Sequence, residues 1–395
     1  MPNQTPRSLN QWPLLDLGFR IFFIGAMLYA VIAMGIWMAA YQHGWSTGTI
    51  SSMTWHAHEM IFGYTLAVIA GFLLTAIKNW TGIQTVRGVP LLGLFALWVT
   101  GRIVFFLSGM IPLEVIALID NLFIALLTVA VSYPILKARQ WRNTSSAAKV
   151  LSLLLCNIAF YLGVLGLWPE GLRIGLYGGF YIIIALIMTI GRRIIPFFTE
   201  RGVGYPVTLK NWKWIDWSSI LVFVIFWVFE LIEPFSPVTA GLSAVLALVH
   251  GIRLVGWYTP GIWKKPLLWI LFVAYGALVL GFVMKALTFV TGLSPFLALH
   301  AFAIGGVGLL TVGMMARVSL GHTGRNVQQP PAKISYVFFA LTASFVFRVV
   351  LPLVHQELYG HWVMISQFLW ILGFSGMLIL YFPMLISHRT DGKSN

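Results

Sequence analysis

An all-α fold, a polytopic bundle of about 12 membrane-spanning helices, is what this sequence predicts, and three observations predict it. Of its 395 residues, 59% are hydrophobic and only 9% are charged, and the mean hydropathy is +0.88. A water-soluble domain of that composition would precipitate. Apolar windows of about 20 residues, the length that crosses roughly 30 Å of hydrocarbon, recur with starts near residues 19, 56, 89, 113, 148, 172, 215, 236, 267, 295, 334 and 360. The basic residues, finally, collect in every second connection, as they do when positive charge is retained on one side of a bilayer.

Span 1, from about residue 19, follows a polar stretch that contains proline, and no small-residue cleavage pattern comes after it, so it is expected to stay as an anchor. Span 2 opens on "WHAHEM" at residues 55 to 60. Span 3 carries Arg102 and span 4 carries Asp120, both in their outer thirds. Span 5 holds the single cysteine, Cys156, which excludes intramolecular disulfides and thiolate clusters. Span 6 ends in Arg192 and Arg193, span 8 carries His250 toward its inner end, and span 9 has Lys285 in its outer third. Span 10 carries His300 at its outer end, span 11 carries Arg348, and His355 and His361 flank the turn into span 12. The longest connections, 137 to 147, 197 to 214 and 319 to 333, are too short to fold alone, so residues 1–395 read as a single integral membrane domain.

The N-terminus, the even-numbered connections and the C-terminus hold 21 of the 25 Lys and Arg residues, among them Arg7, Lys78, Arg87, Arg325 and Lys393. Both termini are therefore expected in the cytoplasm. The net charge of +14 is spread over short connections as topology requires, so no nucleic acid partner is expected. Membrane lipid is.

Six of the nine histidines fall toward the outer side: His43, His56, His58, His300, His355 and His361. Arg102, Asp120, Lys285 and Arg348 lie at the same depth. A charge inside a membrane costs about 2.5–3.5 kcal/mol on the lenient insertion scale and needs a partner. One reading pairs Asp120 and Glu59 with two of the bases; the other sets surplus cations against an anionic ligand such as the propionates of a haem. Residues two apart on a helix point about 200° apart, so His56 and His58 are expected to serve different sites. His56 lies in line with Gly63, Ala67 and Ala70, a small-residue stripe that admits a flat ring or a neighbouring helix.

The segment from His58, "HEMIFGYTLAVIAGFLLTAIKNWTG", and that from His300, "HAFAIGGVGLLTVGMMARVSLGHTGR", each open on histidine, run through a Gly-rich span and close on Thr-Gly, at Thr81–Gly82 and Thr323–Gly324. With span 6 midway, carrying Tyr177 and Tyr181 in place of histidine, the pattern suggests three four-span repeats. In topology this resembles the main subunit of haem-copper oxidases and nitric oxide reductases, where spans 2 and 10 ligate haem. The copper-binding histidine motifs of spans 6 and 7 are absent here.

At the same residues the chain resembles the NnrS family of bacterial membrane proteins. The landmarks are "LGFRIFF" (17 to 23), "WHAHEMIFGY" (55 to 64), "AGFLLTAIKNWTG" (70 to 82), "GRRIIPFFT" (191 to 199) and "ARVSLGHTGR" (316 to 325). Ile21 departs from the pattern, where a proline is expected after the arginine. The resemblance implies a multi-pass protein of the bacterial cytoplasmic (inner) membrane, haem b with copper as a further metal, and a role in the nitric oxide and nitrosative stress response.

Together these readings give a haem protein in which His56 or His58 pairs with His300 as axial ligands, the other histidine facing a second haem or a copper with His355 or His361. Arg102, Lys285 and Arg348 would neutralise propionates, and Glu59 is the candidate catalytic residue, orienting an imidazole or carrying protons. If the protein is an enzyme, it is an oxidoreductase acting on nitric oxide, with quinol a candidate electron donor. The rival is a cation- or proton-coupled transporter built on the same histidines and carboxylates. At the inner face His250, Arg253, Arg192, Arg193, Arg317 and His322 form a second basic group, explained by topology or by a second haem or a quinone head group. Met314 and Met315 read as packing, with a thioether ligand for copper(I) the alternative.

Overall fold

The computed structural model describes residues 12–392; Arg7 and Lys393, two of the residues that set the expected orientation, lie outside them. Among the described residues 12 helices are long and apolar enough to cross a membrane. They are Gly18–His43 (span 1), Ser52–Thr81 (span 2), Gly88–Phe106 (span 3), Leu113–Lys137 (span 4), Trp141–Val164 (span 5), Gly171–Gly202 (span 6), Lys213–Ile232 (span 7), Pro237–Gly256 (span 8), Pro266–Thr291 (span 9), Pro295–His322 (span 10), Ile334–Val354 (span 11) and Gln356–Ile386 (span 12). Lipid offers backbone groups no partner, so each segment closes its own hydrogen bonds as a helix. Local signals set the ends. Proline leads spans 8, 9 and 10, where its missing N–H costs nothing. The Ser51 and Ser236 hydroxyls cap spans 2 and 8, accepting from Thr54 N and Thr239 N at 3.2 Å each.

Contacts divide the described residues into two compact units: residues 12–182, 315–326 and 374–392 form unit 1, and residues 183–314 and 327–373 form unit 2. Spans 2 and 10 are the most enclosed helices, with 89% and 78% of their apolar windows buried against at most 67% elsewhere. The spans chosen for their histidines are thus the most surrounded by protein.

Both helices depart from α geometry at the same point. Glu59–Thr65 in span 2 and Ala301–Gly308 in span 10 are π-helical, and each begins immediately after a histidine, His58 and His300. A wider turn leaves carbonyls without their usual donors, and side chains take them. Thr65 Oγ1 donates to Met60 O at 2.7 Å and Trp98 Nε1 to Gly63 O at 3.1 Å. A third π segment, Val346–Val350, contains Arg348. Pro352 follows it and has no N–H to offer Arg348 O, which favours the widened turn.

In unit 1 spans 1 and 2 pack closely through small residues. A Cβ on Gly71 would lie 2.9 Å from the Phe23 ring, and one on Gly63 2.7 Å from the Tyr29 ring. Ala67 and Ala70 are fully buried. The small-residue stripe below His56 therefore takes the second of its two expected uses: a neighbouring helix fills it. In unit 2, Ser344 and Ser366 tie span 11 to span 12, each hydroxyl donating to the other's carbonyl at 2.8 Å.

Candidate functional site

His58, Glu59, Arg102 and Asp120 come together in unit 1 as one buried cluster. Span 2 delivers the first two, span 3 the arginine and span 4 the aspartate. Arg102 bridges the acids, donating from Nη1 to Glu59 Oε1 at 2.5 Å and from Nη2 to Asp120 Oδ1. Gly101 makes room for Asp120, since a Cβ there would lie 3.2 Å from Oδ1. None of the four side chains is more than 5% exposed. In so dry a place each ion is affordable only with a close opposite charge and its remaining bonds made.

The outer ring of partners completes those bonds. Tyr29 of span 1 donates its hydroxyl to Glu59 Oε2. Tyr161 of span 5 donates to Asp120 Oδ2 at 3.1 Å, and Asn157 Nδ2 donates to the same oxygen at 3.0 Å and to Asn121 Oδ1 at 3.1 Å. With its amino group so engaged, Asn157 turns its carbonyl oxygen to His58 Nε2 at 2.9 Å, so Nε2 carries a hydrogen. Nδ1 stands 2.9 Å from Glu59 Oε1. Two lone pairs would repel at that distance, so a proton lies between them. With that proton counted, His58 and Glu59 together have no net charge, and Arg102 cancels Asp120.

This arrangement bears directly on the ligand expectations. A histidine binds iron through a ring nitrogen lone pair, and both nitrogens of His58 are spent inside the cluster. Its ring is walled by Phe62, Phe105 and Phe160, with centroids 5.0, 4.5 and 4.4 Å away. His58 in this arrangement does not fit an axial ligand. His56 faces different surroundings: it is half-buried and stacked on Trp37, with centroids 4.4 Å apart and planes 9° apart.

Unit 2 holds its own buried groups. Lys285 pairs with Glu230 of span 7 at 2.8 Å, both being buried. Of the three cations proposed for propionates, Arg102 and Lys285 are thus already neutralised by carboxylates. Arg348 is buried and lies over the Tyr359 ring at 5.3 Å, and its π segment packs against the turn of span 10 that carries His300. His300 is half-buried, and its Nδ1 donates to Phe296 O at 2.6 Å, which leaves the lone pair on Nε2. That is the protonation a metal-ligating imidazole uses, its other nitrogen held by a carbonyl.

His355 and His361 are exposed, His355 standing 3.4 Å from Glu357. Among the described residues no three of His, Cys, Asp and Glu converge as a metal centre. Met314 and Met315 are buried in the core. Of the inner basic group, His250 Nδ1 meets Tyr275 OH at 2.6 Å, Arg253 reaches the same hydroxyl at 3.3 Å, and Asp216 binds both Arg253 at 2.6 Å and Arg192 at 2.8 Å. This network belongs to unit 2, whereas Arg317 and His322 belong to unit 1.

Sequence reasoning missed Asn157, Tyr29, Tyr161 and Glu230. Asn157 and Glu230 had a usable signal, being hydrogen-bonding groups inside apolar spans; the two tyrosines read as ordinary aromatic packing.

Twelve apolar helices carrying buried, charge-balanced clusters define a multi-pass membrane protein. The family model described as NnrS protein matches residues 13–389. The chain belongs to the NnrS family, and membership supports a membrane protein of the nitric oxide response. A search of curated proteins found no significant match.

Proposed function

We propose that the protein is a haem-binding protein of the bacterial cytoplasmic membrane that acts on or binds nitric oxide under nitrosative stress. The observation that carries the reading is His300: its Nδ1 hydrogen is committed to Phe296 O, its Nε2 holds the lone pair, and a buried arginine, Arg348, stands on the segment packed against it. Haem b, when bound, supplies an iron that takes nitric oxide and exchanges an electron. The chain's own part is to hold that iron through His300 and to set Arg348 against a propionate. The cluster at His58 acts as a positioning group. By locking the residue at the head of the π segment, it fixes how His56, two residues earlier, meets Trp37. No step is assigned to copper.

The test is a visible spectrum with a pyridine-haemochrome assay on protein purified in mild detergent. Wild type is expected to carry haem b, His300→Ala to lose it while still folding, and Arg348→Gln to hold it more weakly. A colourless wild type, or full haem content in His300→Ala, removes the reading.

One observation favours a second reading, cation- or proton-coupled transport. A sealed set of histidine and carboxylates inside the spans is what relays and coupling sites use. Colourless protein that moves protons in proteoliposomes would decide for it.

A further inference from the structure

At the basic end of unit 1, where the Thr81–Gly82 and Thr323–Gly324 turns lie, cations converge without matching acids. Arg20, three residues into span 1, is fully buried. Its Nη1 donates to Leu385 O at 2.8 Å and Ser387 O at 2.7 Å, the carbonyls that end span 12. Its Nε and Nη2 are buried with no hydrogen-bond partner. The end of a helix offers about half a negative charge, which offsets part of a guanidinium and no more.

The surroundings add positive charge. The Thr323–Gly324 turn clasps the C-terminal segment: Thr390 N donates to Thr323 O at 3.0 Å, Thr390 Oγ1 to Gly324 O at 2.9 Å, and Arg389 Nη1 to His322 O at 3.1 Å. Gly324 has φ +77°, and a Cβ there would lie 2.8 Å from Asp391, so this clasp requires glycine. It brings Arg325 and Arg389 within electrostatic reach of Arg20, and Lys78, with Arg87 beyond it, within reach of His322. The carboxylates at this end are Asp16 and Asp391, and Asp391 is bound to Arg389 at 2.6 Å. Among the described residues Arg20, Lys78, Arg87 and Arg325 make no ion pair within 4.0 Å. Retention of positive charge on one side of a membrane requires basic residues somewhere in these connections. It does not require four of them around a buried guanidinium.

We propose that this end of unit 1 binds a phosphate group. Lys78 and Arg325 are the half-buried contacts, while Arg389, whose donors are taken by Asp391 and His322 O, and the buried Arg20 add fixed charge behind them. Phosphate suits the set because it presents several acceptor oxygens with full negative charge to forked donors. Two sources carry that chemistry: the head group of an anionic phospholipid, which basic recesses between helices hold on the cytoplasmic side, and free inorganic phosphate.

The experiment measures thermal unfolding of the full-length purified protein in neutral detergent. The additions are phosphatidylglycerol, phosphatidylcholine, or inorganic phosphate at constant ionic strength, and native mass spectrometry counts retained phospholipid. Wild type is compared with the double variant Lys78→Gln/Arg325→Gln and with a charge-matched control in unit 2, Lys264→Gln/Lys265→Gln. Phosphatidylglycerol is expected to raise the melting temperature of wild type and control, with one retained phospholipid, and phosphatidylcholine to do so far less. The double variant should need about 30-fold more phosphatidylglycerol for the same shift, from ~1 kcal/mol per basic residue. A shift produced by inorganic phosphate alone, lost in the same variant, assigns the site to the free anion. The proposal is overturned if neither addition stabilises wild type or if the double variant responds as the control does. It is also overturned if the double variant loses haem, because the anion would then be a propionate.

Discussion

Arg102 is the residue on which the unit 1 cluster turns, because it faces two buried carboxylates at once. Removing it strands both, and an uncompensated buried charge costs about 3–5 kcal/mol. Arg102→Met is therefore expected to lower the melting temperature more than any other single change in the cluster, as thermal unfolding in detergent would show. The Lys285–Glu230 pair of unit 2 gives the contrast. Lys285→Met takes the opposing charge away from Glu230 and should cost a similar amount, whereas Lys285→Met/Glu230→Leu removes both charges and should be neutral or stabilising. Equal losses in the single and double variants would contradict this. At this scale the sequence was legible in part. It placed Arg102, Asp120, Lys285 and Arg348 at one depth, and pairing Asp120 and Glu59 with two of the bases was one of its two readings. It did not reveal that His58 joins them with both nitrogens used, because that depends on Asn157, whose amide orientation is set by Asp120 and Asn121.

Among the elements, the spans themselves were the most legible. The spans begin at Gly18, Ser52, Gly88, Leu113, Trp141, Gly171, Lys213, Pro237, Pro266, Pro295, Ile334 and Gln356, all within 4 residues of the hydropathy start but span 5, whose leading 3-10 turn, Trp141–Asn143, puts it 7 residues early. Apolar length is what lipid demands, so it is written along the chain. The π segments were not visible, because hydropathy does not distinguish a turn of one width from another. Yet their positions, directly after His58 and His300, fall where the two repeat-like segments open. A π turn holds one residue more than the α turn it replaces, and one residue is about 100° of helix. Deleting Met60, which is half-buried, should restore the α pitch, swing His58 out of the cluster and lower the melting temperature as much as His58→Ala. Unchanged melting would show that the wide turn does not set that side chain's direction.

For the whole molecule, the basic residues set the expected direction across the membrane, and accessibility tests it. Cys156 is the one cysteine and is buried, so the wild type is a low background for thiol labelling. Met110, between spans 3 and 4, is 85% exposed, and Tyr205, between spans 6 and 7, is also exposed. Met110→Cys should react with an impermeant maleimide in intact cells, and Tyr205→Cys only after permeabilisation. The reverse pattern would invert the orientation and move the phosphate site to the other leaflet. Family membership was legible at this scale through landmarks spread over the whole chain, which is the kind of signal a family model reads.

Since Arg102 cancels Asp120, and His58 and Glu59 cancel each other through the proton between them, the cluster as a body is electrically silent. A membrane voltage does about 2.3 kcal/mol of work per unit charge for each 100 mV crossed, and on a set that sums to zero it does almost none. Changes in the energised state of the cell leave these five helices gripped as before. Only the arrival or departure of a proton would give the field something to pull.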